Sequence, residues 1–253
     1  MSWIETQSLS FTARHDSEDS AFAERTLDRL EALRLRLEER FELVPEEVTV
    51  VVHTNPAWLT MAHPFLPAAR WSAAPAGRRY LAGWPMSTEL HVLNDPHLER
   101  RAAGDDSYEA LRGTAERLYA QLVVATNNTD LPPSWTPRGF VRYLRWAWLI
   151  EGGAQYFSRQ VGLYRAATIR RLRESARPAF PPSRRDAVIL GGTIFDLLEN
   201  ERGPEACERL VDRLLPQGPE VQLEDAFDAR FRDIEAAWRD YLREMVRGPA
   251  AVR

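Results

Sequence analysis

Lysine is missing from all 253 residues, so each of the 33 basic side chains is an arginine. That bias reads as the codon usage of a GC-rich genome. Wholesale phosphate recognition would call for a basic chain, and this one carries a net charge of −4 with acids interspersed among the arginines, which argues against nucleic acid as a partner. Cysteine is nearly as scarce. The single Cys207 excludes an internal disulfide and a cysteine metal cluster, and its helical setting predicts an inert, half-buried thiol. No run of 18 apolar residues is present to span a bilayer as a helix. The start, Met1-Ser2-Trp3-Ile4-Glu5, lacks the basic and apolar regions of a signal peptide, so the chain is expected in the cytoplasm, where one free thiol stays reduced. Internal repeats are absent as well.

What the chain does have is 44% hydrophobic residues, enough to build a core in one large domain or two small ones. Ile4 to Ala13 alternates polar and apolar positions and predicts one strand with a wet face. Asp16 and Ser17 offer caps for a long helix over 20–41, in which Ala23, Leu27, Leu30, Leu33, Leu37 and Phe41 form one stripe. Pro45 ends it. The run Val48-Thr49-Val50-Val51-Val52 is too short for a helix and too apolar for an edge, which predicts a central strand over Glu47 to His53. Prolines between Asn55 and Gly77 predict a short helix and then an ordered loop, after which Tyr80 to Gly83 and Glu89 to Leu93 pair as a hairpin.

Asp105, Asp106 and Ser107 offer N-caps for an amphipathic helix over Leu111 to Thr126, whose core face is Leu111, Ala115, Leu118, Leu122 and Ala125. Asn127 to Pro137 is a breaker. A second helix spans Arg142 to Arg159, and others span Leu163 to Ser175, Asp186 to Glu201, Glu205 to Leu215 and Ile234 to Arg247. Gly203 caps one helix and Pro204 starts the next. Trp146 and Trp148, two positions apart, are expected to divide between the core and an adjacent surface. The fold class is α+β, a small N-terminal mixed sheet with helices followed by a mostly helical C-terminal half.

The second helix holds Trp148-Leu149-Ile150-Glu151-Gly152-Gly153-Ala154-Gln155-Tyr156. A glycine inside a helix costs about 1 kcal/mol relative to alanine, so the pair must have a packing or functional reason. Glu151 shares a face with Leu144, Ala147, Trp148 and Ala154, and a carboxylate in such company must be paired or protonated. Glu116, at the margin of the first helix's apolar face, has Arg112 one turn before it, which predicts a partly solvated ion pair.

These two helices resemble the core of the peptidase MA-like, gluzincin-type zinc metallopeptidases. In that family a His-Glu-x-x-His helix supplies two zinc ligands and the general base, and a later Trp-Leu-x-Glu-Gly-x-Ala-x-Tyr helix supplies the third ligand. The second motif is matched by Trp148, Leu149, Glu151, Gly152, Ala154 and Tyr156; the first is matched at Glu116 alone, with Ala115 and Tyr119 where the histidines would stand. Leu90-His91-Val92-Leu93 is similar to the stretch that borders the substrate cleft. The resemblance is strongest from Gly83 to Leu242. It implies a zincin-like fold in which residues 1–126 form an α/β subdomain with the sheet and the degenerate motif helix, and 127–253 a helical subdomain, together one domain.

On that resemblance Glu151 is the only retained ligand position, and the zinc site is lost. Alanine has no donor atom, and a phenolate at Tyr119 is costly with a pKa of about 10. His15, His53, His63, His91 and His97 include no His-x-x-x-His pair, so sequence spacing supplies no set of three ligands and no cofactor is expected. Without a Lewis acid, peptide hydrolysis forfeits the polarised carbonyl and the activated water. The favoured reading is therefore a non-catalytic relative, a binding or scaffold module. Its residual cleft, lined by Ala115, Glu116, Tyr119, Glu151, Tyr156 and His91, takes a peptide or small molecule, or else the polar groups form a purely structural hydrogen-bond network. One alternative is a hydrolase using Glu116 as general base with weak or no metal. Another is a docking protein for an acidic protein partner at Arg159 to Arg185, where eight arginines face the single acid Glu174; its bland counterpart is a solvated helix face. No membrane partner is expected.

Overall fold

The computed structural model describes residues 3–133, 135–174 and 177–247. Its five-stranded sheet is ordered β1 (Ile4–Gln7), β2 (Phe11–His15), β3 (Val48–His53), β5 (Glu89–Leu93), β4 (Gly83–Pro85). The β-branched run lies in the middle as expected, parallel to β2 and β5, while the outer pairs β1–β2 and β4–β5 are antiparallel. Val48, Val50 and Val52 point into the core, which leaves Val51 and His53 on the opposite face of the strand.

Ile4 to Ala13 is not one strand. The chain turns at Ser8 to Ser10, where Glu31 of α1 (Ser20–Glu38) accepts from the Ser8 hydroxyl at 2.7 Å and the Ser10 N–H at 2.6 Å. The β4–β5 hairpin likewise starts at Gly83 and not at Tyr80. Two arginines take the carbonyls that a longer strand would use, Arg117 at Tyr80 (3.1 Å) and Arg70 at Leu81 (2.8 Å). Between Asn55 and Gly77 the prolines start helices more than they break them: Pro56 and Pro75 open α2 (Pro56–Ala62) and α4 (Pro75–Arg78), on either side of α3 (Phe65–Ser72). Two short helices had no periodic signal, α5 (Asp95–Arg101) and, later, α12 (Pro219–Phe227).

The predicted helix over Leu111 to Thr126 is split at Gly113 into α6 (Asp105–Arg112) and α7 (Thr114–Asn127). Asp105, Asp106 and Ser107 lie inside the first turn of α6 and make no capping hydrogen bond; Gly104, at φ 103°, precedes them. Nor is α7 amphipathic. Every residue from Thr114 to Ala125 is buried, because the helix is wedged between α1, the β4–β5 hairpin and α8 (Pro137–Phe157). After it come α9 (Arg165–Arg173), α10 (Ala187–Arg202), α11 (Pro204–Asp212) and α13 (Phe231–Arg247). Ser175, the predicted end of α9, lies outside the described residues. Gly203 takes φ 82° and Pro204 begins α11, as expected.

Trp146 and Trp148 do not divide between core and surface; both are buried, because α8 is kinked at Trp146 (φ −108°, ψ 18°) and loses its regular period there. The glycines of α8 have a packing reason. A Cβ on Gly152 would stand 2.5 Å from the carbonyl of Gly191, so α8 and α10 cross backbone to backbone. Cys207 is fully buried, and burial pushes its thiol up to about 12. One hydrophobic core runs from Phe11 to Leu242, across the boundary expected at 126/127. No helix among the described residues is long and apolar enough to cross a membrane.

Candidate functional site

α7 and α8 pack side by side, and polar residues of the two meet in the buried interior. Glu151 accepts from Arg117 Nη1 at 2.7 Å on one carboxylate oxygen and from the Tyr143 hydroxyl at 2.8 Å on the other. Arg117 is 1% exposed and Glu151 2%, so the pair is an internal ion pair shielded from water. Burial raises the Tyr143 phenol well above its ordinary range, and the adjacent Glu151 charge raises it further.

The other predicted site residues are held elsewhere. Glu116 pairs with Arg29 of α1 and not with Arg112, which reaches Asp95 and Glu109 instead. Burial raises the Glu116 carboxyl and Arg29 opposes the shift, while the second oxygen of Glu116 has no hydrogen-bond partner among the described residues. The Tyr119 hydroxyl donates to the Pro45 carbonyl at 2.7 Å, and its ring stands edge-on to Phe11. Tyr156 donates to Glu199 at 2.7 Å. Ala115 is buried. Position 117 lies about 160° around the helix from both 115 and 119 at 100° per residue. Glu151 therefore approaches α7 on the face opposite Ala115 and Tyr119, and the structure does not gather these groups around one point.

A different set does converge. His53 ends β3, His91 sits on β5 opposite Val51, and His63 follows α2, which packs over both strands. Alternation puts His53 and His91 on the same face of the sheet, turned away from the core valines. The rings of His63 and His91 are 4.1 Å apart between centroids, and those of His53 and His91 5.2 Å. His91 Nε2 lies 3.2 Å from Glu89 Oε2, and His91 Nδ1 lies 2.9 Å from His53 Nε2. A carboxylate only accepts, so His91 carries its proton on Nε2; His53 Nε2 then donates to His91 Nδ1. Burial lowers His63 and His91 to about 4, each further disfavoured by neighbouring imidazoles, and burial lowers His53 as well. All three rings are neutral at neutral pH.

Beside His53 opens a cavity of about 310 Å³, walled mainly by Trp3, Val52, Trp58 and Ala62, with His15 and Asp16 as polar members. Trp3 and Trp58 are each about half exposed. Of the residues expected to line a cleft, only His91 belongs to this neighbourhood. The local signal was present in the sequence: two strands each carrying one histidine among valines and leucines. What brings in His63 is tertiary, the return of α2 across the sheet.

In the arginine-rich span, Arg171 is buried and grips Asp186 through two hydrogen bonds of 2.6 and 3.1 Å, while the other seven arginines are exposed. Compared with protein-family models, curated proteins and solved structures, the chain matches none of them.

Proposed function

We propose that this chain is a non-catalytic binding or scaffold module of peptidase MA-like descent, acting in the cytoplasm. The observation that carries the reading is the fate of the two carboxylates on which peptidase chemistry would turn. Glu151 is spent on Arg117 and Tyr143, and Glu116 on Arg29, all in the interior. A general base must reach a water beside the scissile carbonyl. Here the catalytic positions face structural partners, and the peptidase zinc site counts as lost. The single buried thiol fits a reducing compartment.

The module's ligand is a small, mainly apolar molecule or peptide side chain seated in the cavity beside His53. Apolar walls with a few polar groups at one end are the usual composition of such sites. A second reading, docking of an acidic protein along Arg159 to Arg185, is favoured by the seven exposed arginines there.

Fluorogenic peptides incubated with the protein, with and without added zinc, are expected to show no hydrolysis above the buffer blank. Anilinonaphthalene sulfonate is expected to bind, and Ala62→Trp, which fills the cavity, to weaken that binding. Protein-dependent hydrolysis lost in Glu116→Gln would sink the non-catalytic reading; probe binding indifferent to Ala62→Trp would sink the cavity.

A further inference from the structure

We propose that His53, His63 and His91 bind one divalent metal ion of the zinc, cobalt or nickel type. One ring nitrogen of each lies within 4.8 Å of the others. Two nitrogens held at about 2.1 Å from one ion stand about 3.4 Å apart in a tetrahedron. That value falls between the 2.9 Å separating His53 Nε2 from His91 Nδ1 and the 4.8 Å limit of the set, so the three rings stand at about the spacing that one ion requires. Three imidazoles without a carboxylate suit borderline transition metals and not magnesium or calcium.

Two further features point to a ligand. His63 Nε2 is buried and has no hydrogen-bond partner among the described residues. Glu89 accepts from His91 Nε2, the carboxylate–imidazole contact that fixes a ligating histidine's tautomer and turns Nδ1 toward the ion. Binding asks for one proton relocation: His53 must carry its proton on Nδ1 so that Nε2 is free to donate its lone pair. The ring stays neutral throughout, and neutral imidazoles ligate without first losing a proton to solvent. The cavity walled by His53 and Ala62 gives the ion a route from solvent, and three protein ligands leave a fourth position for water or a small donor.

This site shares no residue with the motif positions 115, 119 and 151, so it stands or falls separately from the non-catalytic reading. The test uses the full chain after dialysis against a chelator. Titration with cobalt, read by the visible absorption of a tetrahedral ion, and with zinc, read by calorimetry, is expected to give one site per chain. Glu89→Gln, which removes the carboxylate that orients His91 together with its 3.5 Å contact to the exposed Arg14, is expected to weaken binding about 10- to 100-fold. His63→Gln should weaken it further, and His97→Gln, outside the cluster, should leave it unchanged. Absence of stoichiometric binding in the wild type overturns the proposal and needs no variant to fold. Binding unchanged in a folded His63→Gln protein overturns it equally.

Discussion

Arg117 was the residue whose role was least visible in the chain. It sits on α7 next to Glu116, yet it is Arg117 that answers Glu151. The expectation that Glu151 must be paired or protonated was sound as electrostatics, because a carboxylate buried among apolar side chains is too costly alone. The partner could not be read, since it depends on which face of α7 turns toward α8. A buried pair of this kind has an asymmetric energetic signature. Removing one member strands the other charge and costs about 3–5 kcal/mol, whereas replacing both with apolar groups of similar volume is close to neutral. Arg117→Met is therefore expected to lower unfolding stability in urea by about that amount, and the double variant Arg117→Met with Glu151→Leu to recover only part of it, because the Tyr80 carbonyl and the Tyr143 hydroxyl lose their partners as well. A single variant as stable as the wild type would mean that Glu151 reaches water or another cation, against its 2% exposure.

The elements built on uninterrupted periodicity were legible: the apolar stripe of α1 from Ala23 to Leu37, the valine run of β3 and the Gly203-Pro204 junction stand where the pattern put them, while Phe41, expected in the same helix, lies beyond its end at Glu38. Failures came where tertiary contacts compete with local pattern. Glu31 folds the first strand into a hairpin, Arg70 and Arg117 shorten β4, and burial on all sides hides the period of α7. The glycine pair of α8 shows the same limit. Its presence announced a reason, but packing on α10 could not be told from a substrate cleft by sequence. Because a Cβ at Gly152 would meet the Gly191 backbone at 2.5 Å, no side-chain rotation can relieve Gly152→Ala. The two helices must move apart, at about 2 kcal/mol or more, in the upper part of the range for overpacked cores. Gly162, with nothing within 4 Å of a Cβ, is the matched control, and Gly162→Ala should change stability by less than about 0.5 kcal/mol. Equal effects in thermal or urea unfolding would refute the close crossing of α8 and α10.

At the scale of the whole molecule, the sheet has two unlike faces. One is buried under α1 and α7 in the continuous core; the other carries His53 and His91 beneath α2, beside the cavity. The α+β class was legible because every strand pattern ends by Leu93 and the chain beyond it reads as helix. The histidine site was not, because its three members are 38 residues apart at their widest and meet only after β3, α2 and β5 are assembled. That assembly gives stability a definite pH dependence. His63 and His91 titrate at about 4 in the folded chain, against an unfolded value of about 6.5. Below pH 6.5 the unfolded chain takes up protons first, so these histidines drain stability as pH falls from 6.5 toward 4, and contribute no slope above 6.5. For His63 the loss is on the order of 3 kcal/mol across that window. Raised carboxyls such as Glu116 tilt the curve the other way, so the wild-type slope alone does not isolate the imidazoles. The difference between wild type and His63→Gln does. In metal-free buffer, urea unfolding of both proteins at pH 7 and pH 4 is expected to show the wild type losing more stability than the variant. Parallel curves would mean that His63 takes up its proton as readily in the folded chain as in the unfolded one, and that the imidazoles are not enclosed together as the structure has them.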